Sequence, residues 1–214
     1  SVDNVHRVGS VSKQVTAFSV LLLAEEGKID LQKDIHTYIP DLPDYKHKVT
    51  VNAMLGHFAG MADYDFISGG PKKGDKGGEV KGGLNLKSVA GGPFRLGNED
   101  YLTIEEFYDL VKQVSLRHTP NEKFDYSNLG YFLLAMLVEE VSGESLREFA
   151  EKSIFKPLGM SSTFFSDRPT EIVKHRASGY KPDDDKGNKG GYVTDMTNLF
   201  WVGVVVYIPM WKIC

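Results

Sequence analysis

Two long apolar segments place the strongest constraint on how this chain can fold. Residues 10–26 and 127–141 are each predicted to form an apolar helix, and the first leaves little polar face. Gly27 and Gly143 follow these segments, as is typical of helix C-termini. A chain of 214 residues with 41% hydrophobic side chains can build a sizeable core. We therefore predict a folded domain in which the first helix is central and buried.

Shorter patterns add further helices. Thr50 is predicted to cap a short helix over residues 51–55, and Thr103 opens a capping-box pattern. Residues 145–155 are predicted to form an amphipathic helix that ends at Pro157. The chain is therefore expected to be rich in helices, with few strands before its C-terminal part.

Two other stretches differ from these helical segments. Residues 68–97 are rich in glycine and lysine and carry few apolar anchors, which predicts a long loop insertion. Residues 199–211 form an apolar run that is too short to span a bilayer, which takes about 20 residues. Within this run, residues 204–207 are all β-branched or aromatic, which favours a buried strand.

The charge distribution and the spacing of histidines argue against a nucleic-acid partner and against a bound metal. The net charge is −4 and the basic residues are scattered, so no nucleic-acid partner is predicted. The six histidines are dispersed without a His-x-x-x-His pair, so neither a metal nor another cofactor is predicted. Cys214 is the single cysteine, which leaves no partner for an intrachain disulfide. No signal peptide or transmembrane segment is predicted, and the oligomeric state stays open.

The start of the first helix carries a candidate nucleophile. Ser10-Val11-Ser12-Lys13 fits the S-x-x-K pattern of a serine with a lysine partner. At this spacing the serine and lysine side chains lie one helical turn apart on one face. The positive end of the helix dipole favours anionic intermediates at Ser10. Lys13 would lose solvation in an apolar wall, so its neutral amine can accept the serine proton.

The S-x-x-K pattern is not unique in this chain. Ser153 with Lys156, and Ser178 with Lys181, fit it as well. Neither of these serines opens a long buried helix, which favours Ser10. An ordinary helix N-cap is the structural alternative for Ser10.

Tyr126-Ser127-Asn128 is the only Tyr-x-Asn pattern in the chain. A tyrosine near a lysine ammonium is biased towards phenolate, so Tyr126 can take the serine proton and later protonate the leaving group. Asn128 can donate its side-chain amide to a substrate carbonyl. The structural alternative is that Ser127 or Asn128 caps the next helix while Tyr126 packs in the core.

Several segments in one order resemble the class C β-lactamase-like serine hydrolases. This family includes class C β-lactamases, D-Ala-D-Ala carboxypeptidases, D-aminopeptidases and esterases. Leu55-Gly56-His57-Phe58-Ala59-Gly60-Met61, for example, resembles the family pattern Leu-x-His-x-Ser-Gly-Leu. The resemblance extends over about residues 7–201, and it implies that residues 1–201 form one partial domain of this kind and that residues 202–214 are a divergent apolar tail. Its segments are residues 7–17, 55–61, 126–131, 154–160 with Thr163, 176–180, and Gly190-Gly191.

The resemblance implies a β-lactamase/transpeptidase-like fold of the α+β class and a set of site residues. Ser10 would be the acylated nucleophile, Lys13 its activating partner, and Tyr126 the second base and acid. Asn128 would help to hold the substrate, and His57 would be structural. The implied activity is that of a serine hydrolase, which attacks an amide, β-lactam or ester of a small-molecule or peptide-like substrate without a cofactor. The resemblance also suggests a periplasmic or extracellular location.

Two family features are not found in these 214 residues. The third family motif, Lys-Thr-Gly or His-x-Gly on a strand that lines the pocket, does not occur. Only nine residues precede Ser10, where family members have a helix and strands. We therefore expect mostly the helical lobe plus the nucleophile helix, with most of the antiparallel sheet missing and catalysis impaired. The alternatives are a non-catalytic penicillin-recognising binding or regulatory protein, and an inactive truncated product.

Overall fold

The computed structural model describes residues 4–63, 67, 84, 102–168, 171–182, 192–194 and 206–209. Most of the predicted loop insertion, residues 68–97, and most of the tail, residues 202–214, lie outside these ranges. The predicted division of the chain at residue 201 therefore stays a prediction. None of the helices in the described ranges has the length and hydropathy that a bilayer crossing requires.

The predicted first helix forms, but one of its apolar faces is exposed. A 3-10 turn over Gly9–Ser12 leads into helix α1, which spans Lys13–Glu25. Thr16 and Ser19 are fully buried, so the inward face is partly polar. The prediction of a central, buried helix holds only for its inward face, because apolar residues around a helix do not by themselves bring a neighbour onto every face. The exposed apolar side chains are Val11, Phe18 and Leu21, at 58%, 46% and 45% of their surface.

Two short helices begin at the predicted caps. Helix α2 spans Val51–Leu55, and the side chain of Thr50 accepts a hydrogen bond at its N-terminus. Helix α3 spans Ile104–Val111, and Thr103 forms a reciprocal capping box with Glu106. Each cap satisfies backbone N–H groups that have no partner inside the helix, which explains why these local signals predicted the helix starts.

The second long apolar segment forms the central helix of the lobe. Helix α4 spans Asn128–Ser142 and packs against α1 and α2. Helix α5 spans Leu146–Ala150, contacts both α1 and α4, and continues as a π-helical turn over Glu151–Phe155. The predicted helix over residues 145–155 is therefore present with a change of winding in its middle. Ten residues of α4 are buried, so this helix holds the lobe together.

Two small antiparallel sheets complete the described fold. In the larger sheet, β5 (Val206–Pro209) lies between β1 (Val5–Arg7) and β2 (Phe164–Phe165). In the smaller sheet, β3 (Tyr180–Pro182) pairs with β4 (Tyr192–Thr194). The strand predicted late in the chain is confirmed over Val206–Pro209, two residues after the start of the β-branched and aromatic stretch 204–207, and its burial stays a prediction. The dominant helical lobe with a small antiparallel sheet confirms the α+β class.

The loop after α2 is anchored at Gly60. This residue has φ 72°, and a Cβ there would lie 2.3 Å from the carbonyl oxygen of His118. The backbone N–H of Arg117 donates to Gly60 O at 2.8 Å, and that of Asn121 donates to Phe58 O at 2.7 Å. Positive φ and the close backbone approach together require glycine, so this position sets the path of the loop.

Replacing Gly60 tests this anchor. We expect Gly60→Ala to lower the free energy of unfolding by about 3 kcal/mol, because backbone strain adds to a clash with backbone. Gly143→Ala is the matched control, since Gly143 has φ 73° but a Cβ at that position would meet no atom within 4 Å. Its cost should be that of the left-handed conformation alone, about 1 kcal/mol. Denaturant unfolding followed by circular dichroism measures both, and equal losses would contradict the anchor.

Candidate active site

Ser10 lies in the 3-10 turn that precedes α1, and its side chain is exposed. The N-cap residues of the turn and of α1 are Val8 and Ser12, and neither N-terminus has a side-chain capping bond. The alternative that Ser10 is an ordinary helix cap is therefore wrong. Its hydroxyl is instead within hydrogen-bond reach of the side chains of Lys13 and Tyr126.

Lys13, the first residue of α1, is only 6% exposed although its side chain ends in an amine. Its Nζ lies 3.3 Å from Ser10 Oγ and 2.6 Å from Asn128 Oδ1. The same atom lies 4.9 Å from the ring centroid of Tyr126 and 5.5 Å from that of Tyr131. These contacts hold a buried amine beside an exposed serine hydroxyl.

Burial has the largest effect on the protonation of Lys13. Loss of hydration penalises the charged form and holds the pKa of Lys13 below the ordinary lysine value of 10.5. The hydrogen bond and charge of Tyr126, and then the charge of Asp63, act in the opposite direction without overcoming burial. The neutral amine is therefore accessible at a lower pH than in an exposed lysine, which suits a proton acceptor.

Tyr126 reaches the nucleophile from the segment just before α4. Its phenol O–H donates to Ser10 Oγ at 2.7 Å across a separation of 116 positions in sequence. The side chain is 37% exposed, so the alternative that Tyr126 packs in the core is wrong. Ser10 Oγ therefore lies between a phenol and an amine, each close enough to exchange a proton with it.

Ser127 and Asn128, at the start of α4, make different kinds of hydrogen bond. Ser127 is the N-cap, and its Oγ accepts the backbone N–H of Gly130 at 2.9 Å, which confirms the capping alternative for this residue. Asn128 is the first helical residue, and its amide is held at both ends. Oδ1 accepts from Lys13 at 2.6 Å, and Nδ2 donates to the carboxylate of Asp63 at 3.0 and 3.2 Å. Donation from Asn128 to a substrate stays a prediction.

His57 packs behind the catalytic tyrosine candidate. Its ring centroid lies 4.5 Å from that of Tyr126 and 5.0 Å from that of Tyr131. Nδ1 accepts the backbone N–H of Ser127 at 3.2 Å, which places the ring proton of the neutral form on Nε2. Burial and then the charge of Lys13 hold the pKa of His57 below its ordinary value. These contacts support the predicted structural role, in which a neutral ring orients Tyr126.

The other two S-x-x-K patterns lack such an arrangement in the described residues. Ser153 lies in the π-helical turn, and Lys156 is 70% exposed and pairs with Glu151 at 3.0 Å. Ser178 is exposed, and the side chain of Lys181 lies outside the described residues. Lys156 therefore lacks both the burial of Lys13 and its contact with a serine hydroxyl in the described residues.

One residue of this network was missed by sequence reasoning. Asp63 lies two positions beyond the family-like segment 55–61, and no spacing rule connects it with Asn128, 65 positions away. Tyr131 belongs to a family-like segment without a predicted role, yet its ring contacts both Lys13 and His57. These groups come together only in the folded chain. In the sequence, the single sign of a role for Asp63 was its position just after the family-like segment 55–61.

A serine hydroxyl flanked by a buried amine and a phenol is an arrangement suited to serine acyl transfer. The profile of the family described as Beta-lactamase matches residues 1–200, a range that includes Ser10, Lys13, Tyr126 and Asn128. The chain therefore belongs to the beta-lactamase family, whose members are serine hydrolases. The resemblance inferred from the sequence is confirmed, and so is the β-lactamase/transpeptidase-like fold. Within the described ranges, no group of three or more His, Cys, Asp or Glu side chains is placed to hold a metal ion.

Individual relatives agree with this family. Penicillin-binding protein 4* of Bacillus subtilis is 28% identical over 186 residues, which cover 85% of this chain and 35% of the relative. The octameric penicillin-binding protein homologue from Pyrococcus abyssi superposes with a TM-score of 0.69 at 26% identity, over 99% of this chain and 44% of that one. The D-amino acid amidase from Ochrobactrum anthropi shares the fold, with a TM-score of 0.69 at 21% identity over 97% and 53% of the two chains. The chain thus spans about a third to a half of the length of these relatives.

Proposed function

We propose that this chain is a serine hydrolase that forms an acyl-enzyme on Ser10 from an amide, β-lactam or ester. The observation that carries the proposal is the convergence of two groups capable of proton transfer, a phenol and an amine, on one hydroxyl. Tyr126 Oη lies 2.7 Å and Lys13 Nζ 3.3 Å from Ser10 Oγ. Both distances suit proton transfer, directly or after small adjustment on substrate binding.

Acylation begins with attack of Ser10 Oγ on the substrate carbonyl carbon. A new C–O bond forms, the carbonyl π electrons move to the carbonyl oxygen, and the serine proton passes to Lys13 Nζ, with Tyr126 Oη as the alternative acceptor. When the carbonyl re-forms, the bond to the leaving nitrogen or oxygen breaks. The leaving atom takes a proton from the same pair of side chains, so no net proton is lost.

Deacylation repeats these steps with water in place of the serine. A water molecule attacks the acyl carbon and gives its proton to Lys13 or Tyr126, and the C–O bond to Ser10 breaks. The proton then returns to Ser10 Oγ, which releases a carboxylic acid and restores the hydroxyl. The same two side chains therefore serve both halves of the reaction.

The substrate class is narrowed by the relatives rather than by the site chemistry. Two of the proteins described above are penicillin-binding proteins or homologues, and a third is a D-amino acid amidase. These names favour a β-lactam or peptide-like amide, with a small ester as the other acyl substrate. Parallel assays with nitrocefin, a D-amino acid amide and a nitrophenyl ester separate the three.

A second candidate is a non-catalytic protein that recognises penicillin-like ligands without turnover. This candidate predicts reversible binding beside Ser10 without formation of an adduct. The impaired turnover expected from the sequence also stays a prediction, which a comparison of the acylation rate with steady-state hydrolysis measures.

Covalent labelling tests the leading proposal. The chain is incubated with a fluorophosphonate or a fluorescent penicillin, and the adduct is located by intact mass and peptide mapping. We expect a single adduct on Ser10, because only this serine lies between Lys13 and Tyr126. Ser153, which shares the S-x-x-K pattern, serves as the internal control and should stay unlabelled.

Each other outcome of the labelling has a definite meaning. Reversible binding of the penicillin without an adduct supports the non-catalytic candidate. An adduct on Ser153 or another serine contradicts the assignment of Ser10. Neither binding nor labelling, together with weak cooperativity on heating, indicates an inactive chain.

A further inference from the structure

We propose that Asp63 is a positioning residue of this site, which orients the side-chain amide of Asn128 so that its oxygen faces Lys13. The inference deepens the acyl-enzyme function proposed above and rests on it. Asp63 does not touch the reacting hydroxyl in this arrangement. It acts through Asn128, which contacts the amine beside that hydroxyl.

The carboxylate of Asp63 holds one residue by three contacts. Oδ1 accepts the backbone N–H of Asn128 at 3.2 Å and its side-chain Nδ2 at 3.0 Å. Oδ2 accepts the same Nδ2 at 3.2 Å. Because the contacts include both backbone and side chain, they restrict the side-chain rotamer relative to α4 as well as the position of the amide.

The direction of the amide follows from its two unlike ends. A carboxamide has an acceptor oxygen at one end and a donor nitrogen at the other. With Nδ2 against the carboxylate of Asp63, Oδ1 of Asn128 points to the other side, where Lys13 Nζ lies 2.6 Å away. A flipped amide would place oxygen against carboxylate and N–H groups against the lysine, which is unfavourable at both ends. Asp63 therefore selects the orientation that gives the amine an acceptor.

Asp63 also affects the electrostatics of the site. Its negative charge favours the ammonium form of Lys13 and so opposes the effect of burial on the lysine pKa. Desolvation therefore favours the neutral amine of Lys13, whereas the nearby carboxylate of Asp63 favours its charged form. Among the described residues, the groups besides Asp63 that contact or act on Lys13 include Ser10, Tyr126, Asn128, Tyr131 and the neutral His57.

A purely structural role must be separated from this one. The carboxylate of Asp63 lies at the N-terminus of α4, where an acidic group stabilises a helix by contact with backbone N–H groups. That effect depends on the backbone of residue 128, whereas positioning depends on the amide side chain. Asn128→Ala removes the side chain and keeps the backbone N–H, so it distinguishes the two roles.

The first experiment is a double-mutant cycle. Ser10 acylation by fluorescent penicillin and unfolding by denaturant are measured for the wild type, Asp63→Ala, Asn128→Ala and the double variant. We expect Asp63→Ala to slow acylation about 10- to 100-fold in the wild-type background, because misplacement of a supporting group has effects of this size. In the Asn128→Ala background, Asp63→Ala should slow acylation by less than a further factor of about three. The loss of stability should be similar in both backgrounds.

The second experiment needs no turnover. The titration of Lys13 is followed by NMR of its labelled side chain in the wild type and in Asp63→Asn, which keeps an acceptor oxygen but removes the charge. We expect a lower midpoint in Asp63→Asn. The matched control is Asp44→Asn, which removes a carboxylate that pairs with Lys46, and it should leave the midpoint unchanged.

The two readouts separate failure of the positioning role from failure of the hydrolase function. Equal acylation losses in both backgrounds overturn the positioning role. If the wild type forms no adduct, the proposed function fails. The role of Asp63 is then tested only by the midpoint of the Lys13 titration. A lower midpoint in Asp63→Asn still supports the link from Asp63 to Lys13, and an unchanged midpoint overturns it.

Discussion

Replacing Lys13 with methionine is expected to slow acylation of Ser10 by about 1000-fold or more while the chain stays folded. Methionine keeps the length and apolar stem of lysine but has no amine to accept the serine proton. Lys13 is 6% exposed and its amine is already desolvated, so the free energy of unfolding should change by only about 1 kcal/mol. Stopped-flow labelling with a fluorescent penicillin gives the rate, and denaturant unfolding gives the stability.

A second lysine near α1 provides the control. Lys28 follows the end of the helix, is 53% exposed and pairs with Glu26. Lys28→Met should leave acylation within about twofold of the wild type, because the site does not use this amine. An unchanged rate in Lys13→Met would remove the lysine from the mechanism even if Ser10 were labelled.

The pH profile gives an independent check on Lys13. Burial lowers the pKa of this amine, and only its neutral form can accept a proton. The acylation rate should therefore rise with pH through the lowered lysine pKa and level off before the ordinary value of 10.5 is reached. Lys13→Met should lack this rising limb, whereas Lys28→Met should keep it.

Local features of this fold were predictable from sequence because their causes are local. Thr50 and Thr103 cap their helices through residues three positions away, as the capping patterns indicated. The contact between Ser10 and Lys13 spans the same short interval. Each of these contacts lies within about one helical turn, so a pattern of residue types was sufficient to predict it.

Long-range features depended on the folded core. The link from Asp63 to Asn128 spans 65 positions, and the packing of His57 between Tyr126 and Tyr131 needs the loop after α2 to follow one path. That path depends on Gly60, whose close approach to another segment leaves no sequence pattern beyond a single glycine. The placement of Tyr126 was anticipated only through the family resemblance, because no spacing rule joins it to Ser10.

The exposed face of α1 shows the limit of apolar patterning. Its sequence predicted a central, buried helix, yet Phe18 and Leu21 of α1 are exposed, as is Val11 in the turn before it. Hydrophobicity indicates which side chains gain by leaving water, but it does not name the element that covers them. The buried Thr16 and Ser19 make the same point from the opposite side, since neighbours rather than polarity decided their burial.

Replacing Tyr126 with phenylalanine is expected to slow acylation by about 100- to 10,000-fold, the range for loss of a general acid or base. Phenylalanine keeps the ring that packs on His57 and lies beside Lys13, so the change removes little except the hydroxyl at 2.7 Å from Ser10 Oγ. Tyr131→Phe is the matched control. Its ring also lies near Lys13 and His57, but its hydroxyl donates to Leu55 O, so its acylation rate should fall less than about threefold.

The leaving group then shows which proton Tyr126 transfers. A nitrophenolate departs without protonation, whereas an amide nitrogen must gain a proton before its bond to carbon can break. If Tyr126 protonates the leaving group, Tyr126→Phe should slow the reaction of an amide or β-lactam far more than that of a nitrophenyl ester. Equal losses for both substrates would mean that Tyr126 acts only as the base for Ser10. A loss as small as that of Tyr131→Phe would exclude both roles and leave Lys13 as the single proton acceptor of the site.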